Sequence, residues 1–128
     1  MRTIGFVLLL AAGLVGVRLF AQQSIQHIDT KELGRLIADH ADFKLIDVRE
    51  DDEWAKGHAA GAQHIARGTI EAKIEGAAPK KDARIVLYCA HGRRSALAAE
   101  TLQKMGYTNV WSLDGGFVAY QEAGLPTE

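Results

Sequence analysis

The sequence has a single cysteine, only two prolines and almost no net charge, and these scarcities exclude several classes of protein. With Cys89 as its one thiol, the chain can form neither an internal disulfide nor a Cys-x-x-Cys or thiol-rich zinc site. A formal net charge of -1 at pH 7 provides no general basic surface of the kind that binds nucleic acid. We therefore expect no metal, no cofactor and no nucleic-acid partner.

The first residues differ in composition from the rest of the chain. Arg2 precedes an apolar run over residues 4–17, and Ala21 provides a small residue shortly after it. A positive flank, a short apolar run and a small residue at its exit are typical of a secretory signal, whereas a spanning helix needs about 20 apolar residues. We expect residues 1–21 to be a signal peptide or, if uncleaved, an N-terminal membrane anchor. Residues 22–128 would then form one domain that is periplasmic or otherwise exported.

From residue 24 onward, five short predicted strands alternate with short predicted helices. The clearest strand covers residues 83–89, which are rich in Val, Ile, Leu and Tyr, and the clearest helix covers residues 95–106. Asp29, with Glu32 three residues later, predicts the start of an earlier helix. Such alternation indicates an α/β fold with a central, mostly parallel five-stranded sheet and helices on both faces.

Cys89 lies where the clearest strand ends and a loop leads into the clearest helix. Ligands of open α/β sheets bind beyond the carboxyl ends of the strands, where loop amides and a helix N-terminus stabilise anions. Gly92 would let the backbone approach the sulfur, while Arg93 and Arg94 would lower the thiol pKa and attract an anionic substrate. The pattern predicts a cysteine nucleophile that is ionised near neutral pH. The alternative is a small buried structural thiol.

Two separated segments resemble the rhodanese family. "LIDVREDDEWAKGHAAGA" is similar to its first conserved motif, and "YCAHGRRSALAAETLQKMGYTNVWSLDGGFVAYQEAGLP" is similar to its active-site loop, following helix and closing Gly-Gly motif. The resemblance covers residues 25–126 and implies a single rhodanese-like domain, like the small exported sulfurtransferases of bacteria. In that family the loop cysteine takes a sulfane sulfur from thiosulfate or a similar donor, holds it as a persulfide and passes it to cyanide or a thiol.

The resemblance also implies roles for individual residues. Cys89 would be the nucleophile and persulfide carrier. The residues expected to bind the small anionic sulfur donor are Ala90, His91, Gly92, Arg93, Arg94, Ser95 and Arg49. Arg94 would orient the donor, His91 and Arg93 would lie at the rim, and Arg49 could instead be structural, paired with Glu53 or another nearby carboxylate.

Three functions stay open at this point: a sulfurtransferase with small acceptors, a persulfide carrier and a phosphatase. The loop over residues 89–94 has the six residues of sulfur-handling members, whereas related phosphatases with this fold use a loop one residue longer. A phosphatase is therefore disfavoured. A persulfide carrier that hands its sulfur to an acceptor protein would need the same loop as an enzyme with small acceptors.

The sequence also departs from the family at Ala59 and Ala60, where Ile and Pro are usual, which predicts a less rigid backbone there.

Overall fold

A computed structural model of the protein describes residues 24–128, so the predicted signal peptide or anchor lies outside the described residues. The strands are β1 (Gln26–Ile28), β2 (Lys44–Asp47), β3 (Gln63–His64), β4 (Ile85–Tyr88) and β5 (Val110–Leu113). The helices are α1 (Thr30–Ala38), α2 (Asp51–Lys56), α3 (Ile70–Ala77), α4 (Arg93–Lys104) and α5 (Gly116–Glu122), with a 3-10 turn at Arg67–Thr69 before α3.

The five strands form one sheet in the order β1-β5-β4-β2-β3, and every neighbouring pair is parallel. The central strand β4 is buried along its whole length, as expected for a strand with neighbours on both sides and helices on both faces. Because the strands are parallel, their carboxyl ends meet at one edge. The residue that follows β4 at this edge is Cys89.

Helices cover both faces of the sheet. One face packs against α3 and α4 through Ile70, Ile74, Ala98, Ala99 and Leu102. The other face packs against α1 and α5 through Leu33, Phe117 and Tyr120. The predicted α/β fold with a five-stranded parallel sheet is confirmed.

The observed elements differ from the predicted ones mainly at their ends. Asp29 caps α1 as predicted, because its carboxylate accepts the Glu32 N–H at 2.8 Å. Helix α4 begins at Arg93, two residues earlier than predicted, so both arginines belong to its first turn. Helix α3 includes Gly76 and ends at Ala77.

The segment with the two unusual alanines is held by the C-terminal residues. Ala60 donates its N–H to the Pro126 carbonyl at 2.9 Å, and His58 exchanges two backbone hydrogen bonds with Glu128, both 2.9 Å. A proline at position 60 has no N–H and could not make the first of these bonds. The predicted loss of rigidity is therefore countered by pairing with residues 126–128.

Within residues 24–128, no helix has the length and apolar character needed to cross a membrane. No group of three or more His, Cys, Asp or Glu side chains in the same range is arranged to hold a metal ion.

Candidate active site

The Cys89 side chain lies inside a tight loop between β4 and α4. Its sulfur accepts the N–H of Gly92 at 3.1 Å and that of Ser95 at 3.4 Å, and the Ser95 hydroxyl oxygen lies 3.6 Å away. Gly92 immediately precedes α4 and has φ +110°. This left-handed conformation turns its N–H toward the sulfur. The predicted geometry, with backbone donors converging on the sulfur, is present.

Burial and hydrogen bonding act on the Cys89 thiol in opposite directions. Burial alone would raise its pKa, because a thiolate is poorly solvated there. The Ser95 hydroxyl and the backbone N–H groups of Ser95, Gly92 and His91 outweigh burial, so the thiol pKa lies below its ordinary value. A lowered pKa favours the thiolate, which is the nucleophilic form of cysteine.

The start of α5 fixes the other side of the loop. Gly116, at φ +60°, packs so closely that a Cβ there would lie 2.5 Å from the carbonyl oxygens of both Cys89 and Ala90. Phe117 donates its N–H to the Cys89 carbonyl at 2.7 Å, and Val118 donates to the Ala90 carbonyl at 3.2 Å. The closing Gly-Gly motif therefore positions the loop backbone and presents no reactive group of its own.

The two arginines of the loop have different surroundings. Arg94 forms a two-pronged ion pair with Glu53 of α2, with Nη1 to Oε1 at 2.6 Å and Nη2 to Oε2 at 3.0 Å. This pair lowers the pKa of Glu53 to about 2 and raises that of Arg94. Arg93 and His91 are exposed at the rim, as expected from the sequence.

Arg49 pairs with Asp47 and makes no hydrogen bond to Glu53. Its guanidinium donates to both carboxylate oxygens of Asp47 at 2.8 to 3.1 Å and to the Gly57 carbonyl at 2.7 Å. It also lies over the Phe117 ring, 4.4 Å from the centroid. Asp47 additionally accepts the Arg49 N–H at 2.8 Å. Arg49 is buried, and these contacts support its structural interpretation by joining the end of β2 to α2 and α5.

Three residues that contribute to the site were not in the predicted set. The sequence indicates Glu53 only as a partner of Arg49, and Gly116 only as part of the closing Gly-Gly motif. Ser112 of β5 has no place in the predicted site, although its hydroxyl lies 2.8 Å from that of Ser95. A serine inside a predicted strand gives no sequence signal, whereas the Gly-Gly pair indicates a close backbone approach.

Comparison with known proteins places the chain in a family. The sequence profile of the family described as "Rhodanese-like domain" matches residues 29–123. A sulfurtransferase of Allochromatium vinosum is 33% identical over 102 residues, which is 80% of this chain and 94% of that protein. The chain therefore belongs to the rhodanese family, as the two motifs predicted.

Two further proteins have names that bear on function. The thiosulfate sulfurtransferase GlpE of Pseudomonas fluorescens is 40% identical over 73 residues, or 57% of this chain and 65% of that protein. A solved structure from Rhodopseudomonas palustris, described as a protein of unknown function and possible tyrosine phosphatase, superposes with a TM-score of 0.72. It is 36% identical, and the match covers 81% of this chain and 85% of that one.

Proposed function

We propose that the protein is an exported sulfurtransferase that moves a sulfane sulfur from thiosulfate, or a similar anionic donor, through a persulfide on Cys89. The acceptor is cyanide or a thiol. The observation that carries this proposal is the Cys89 sulfur, which accepts backbone donors at the carboxyl edge of the sheet and has a lowered pKa. The names of the two similar sulfurtransferases support it.

The proposed reaction has two displacement steps. In the first, the Cys89 thiolate attacks the outer sulfur of thiosulfate; the new S–S bond forms while the S–S bond of the donor breaks, and sulfite leaves with the electron pair. In the second, cyanide attacks the outer sulfur of the persulfide, a C–S bond forms, and thiocyanate departs. The electron pair returns to Cys89 as a thiolate. No external oxidant, metal or cofactor is needed.

The surrounding groups have separate proposed tasks. The N–H groups of Gly92 and Ser95 stabilise negative charge on the sulfur before and after each transfer. Arg93, exposed in the first turn of α4, attracts the dianionic donor. Arg94 orients the donor while Glu53 holds its guanidinium in place.

The first prediction is that Cys89→Ser abolishes thiocyanate formation from thiosulfate and cyanide. A serine hydroxyl has a far higher pKa than a thiol and cannot carry the sulfur as a persulfide. The variant should retain the circular dichroism spectrum and thermal unfolding cooperativity of the wild type, because the side chains are nearly equal in size. Thiocyanate formation by a folded Cys89→Ser protein at the wild-type rate would contradict the proposal.

A carrier that passes its sulfur to an acceptor protein is the second candidate function. Within residues 24–128 the exposed large hydrophobic side chains are Leu97 and Val118, at 42% and 39% exposure. They belong to α4 and α5, the helices that begin on either side of the Cys89 loop. Val118 adjoins the loop, since its N–H donates to the Ala90 carbonyl, and an exposed apolar side chain there suits a protein contact. A purified persulfide form that is inert to both cyanide and glutathione would favour the carrier.

Phosphate hydrolysis is the competing chemistry, since the similar Rhodopseudomonas palustris protein is described as a possible tyrosine phosphatase. The six-residue loop over residues 89–94 favours sulfur, because the related phosphatases use a longer loop to surround a phosphate. Hydrolysis of para-nitrophenyl phosphate that is lost in Cys89→Ser would support a phosphatase, and its absence would support sulfur transfer.

Export remains a proposal that rests on residues 1–21. Cell fractionation of the full chain should place it outside the cytoplasm, and a mature N-terminus at residue 22 would distinguish a cleaved signal from an anchor. Recovery of the uncleaved chain in the cytoplasm would contradict export.

A further inference from the structure

Apart from the tyrosines, the buried polar and charged side chains in the described part of the chain form two pairs. Asp47 and Arg49 make up the first, and Ser95 and Ser112 the second. Ser112 lies in β5 and is 1% exposed. Along β5 it alternates with Trp111 and Leu113, which pack on the opposite face of the sheet, so its side chain lies on the same face as α4 and Cys89.

The Ser112 hydroxyl lies at a position of β5 that faces the core, where an apolar side chain is expected. Burying a hydroxyl without a hydrogen-bond partner is unfavourable, and the equivalent inward position two residues earlier in β5 carries the apolar Val110. The partner of Ser112 is the Ser95 hydroxyl at 2.8 Å, and no other side-chain hydrogen bond of Ser112 is present in residues 24–128. Ser112 is therefore directed at the residue that contacts the Cys89 sulfur.

The Ser95 hydroxyl has more acceptors within reach than it can serve. Its oxygen lies 3.1 Å from the Gly92 carbonyl, 2.8 Å from Ser112 Oγ and 3.6 Å from Cys89 Sγ, and a hydroxyl has only one hydrogen to donate. When Cys89 is a thiol, its S–H can donate to Ser95, whose hydrogen then serves the Gly92 carbonyl. When Cys89 is a thiolate, the sulfur has no hydrogen and needs that of Ser95.

We propose that Ser112 is a positioning residue that donates its hydroxyl hydrogen to Ser95 Oγ, so that Ser95 donates its own hydrogen to the Cys89 thiolate. Ser112 donates to one of the two lone pairs of Ser95 Oγ and thereby polarises the Ser95 hydroxyl, which strengthens the hydrogen bond that Ser95 donates. The same chain of two hydroxyls would stabilise the thiolate released when the acceptor removes the outer sulfur. Only this last step rests on the proposed function.

The test measures the ionisation of Cys89 without any sulfur donor. The rate of alkylation of the reduced full chain by iodoacetamide, followed against pH, gives the apparent pKa of the thiol. Ser112→Ala should raise this value by roughly half a unit to one unit, the range expected for one hydrogen bond. An unchanged value in a folded Ser112→Ala protein would overturn the proposal.

A double-mutant cycle separates positioning from a general packing effect. If Ser112 acts through Ser95, Ser112→Ala should cause no further increase in the apparent pKa in a Ser95→Ala background. Full additivity of the two increases would overturn the proposal. Ser112→Thr and Ser112→Val form the matched control, because they have nearly equal volume and differ by a hydroxyl. Thr should restore the wild-type value and Val should not; equal values for Thr and Val would also overturn it.

The outcomes for Ser112 and for the proposed function are distinguishable. If thiosulfate fails to load Cys89 while Ser112→Ala still raises the thiol pKa, sulfur transfer from thiosulfate fails and the role of Ser112 stands. If loading succeeds and the alkylation profile of Ser112→Ala matches the wild type, the role of Ser112 fails and sulfur transfer stands.

Discussion

Charge at the mouth of the Cys89 loop depends on a pair of residues from distant parts of the chain. Glu53 and Arg94 are 41 positions apart, and their two hydrogen bonds join α2 to the first turn of α4. Glu53 offsets the charge of Arg94. The exposed Arg93, in the same turn, forms no ion pair within residues 24–128 and keeps its full positive charge. The pair orients a guanidinium with little gain in net positive charge.

The Glu53–Arg94 pair predicts a specific dependence of stability on pH. The pKa of Glu53 is lowered from its usual 4.5 to about 2 by the hydrogen bonds from Arg94, against the opposing effect of burial. A carboxylate with a depressed folded-state pKa stabilises the fold above its unfolded pKa, and this contribution is lost as pH falls from about 4.5 toward 2. Because the side chains keep 28% and 32% exposure, solvent screening reduces the contribution to about 1 to 2 kcal/mol.

Glu53→Gln tests this pH dependence. Urea unfolding between pH 6 and pH 3 should show a smaller loss of unfolding free energy in Glu53→Gln than in the wild type. Glu100→Gln, an exposed substitution on α4, is the control and should follow the wild type. Parallel curves for all three proteins would show that the ion pair contributes nothing to stability.

Single residues differ in how far the sequence predicts them. The place of Cys89 in the loop after β4 could be predicted, because the end of an apolar strand followed by glycine and arginines is a local pattern. The partners of Arg49 and Arg94 could not be predicted. Arg49 has several carboxylates nearby in sequence, and the partner of Arg94 lies 41 positions away, so the tertiary structure decides both. Ser112 carries no local signal, since its importance depends on a contact with Ser95 seventeen residues away.

At the scale of elements, the site depends on how closely the N-terminus of α5 approaches the loop after β4. Gly116 is the point of closest approach, and both the left-handed φ and the lack of space exclude a side chain there. The adjoining bonds from Phe117 and Val118 hold the carbonyls of Cys89 and Ala90. The orientation of the amides around the sulfur therefore depends on a helix that supplies no donor to it.

We predict that Gly116→Ala destabilises the protein by more than about 2 kcal/mol, because its Cβ would lie 2.5 Å from two backbone carbonyl oxygens that cannot easily move. The thiol pKa should also increase as the loop shifts. Gly76→Ala is the matched control: Gly76 lies in α3 with open space around its Cβ position, so alanine should leave stability equal or raise it by up to about 1 kcal/mol. Equal stability of the two variants in urea unfolding would contradict this account.

The sequence predicted the order and type of the helices and strands more accurately than the residues at which they begin and end. Each predicted strand is present, but β3 has only two residues and β4 stops at Tyr88, leaving Cys89 in the loop. Strand ends depend on which neighbour offers a hydrogen-bonding partner, which a local apolar pattern does not contain. Helix α3 passes Gly76 because a glycine near a helix end costs little when the preceding residues pack in the core.

For the whole molecule, the parallel sheet brings together residues from separate parts of the chain at one edge. Cys89 follows β4, Ser112 lies on β5, and Glu53 follows β2 in α2. The sheet, its helices and the family were predictable because the periodicity and the two motifs extend over most of residues 24–128. The physiological donor and acceptor were not, because a small loop of amides and cations accepts many anions.

The central claim is that Cys89 carries a sulfur atom, and intact mass spectrometry of the reduced protein tests it most directly. After incubation with thiosulfate, the wild type should gain the mass of one sulfur atom. Cyanide should remove that mass with release of thiocyanate, and Cys89→Ser should show neither change. A wild-type protein with a fully reduced thiol that gains no mass, or a Cys89→Ser protein that gains as much as the wild type, would contradict the persulfide account.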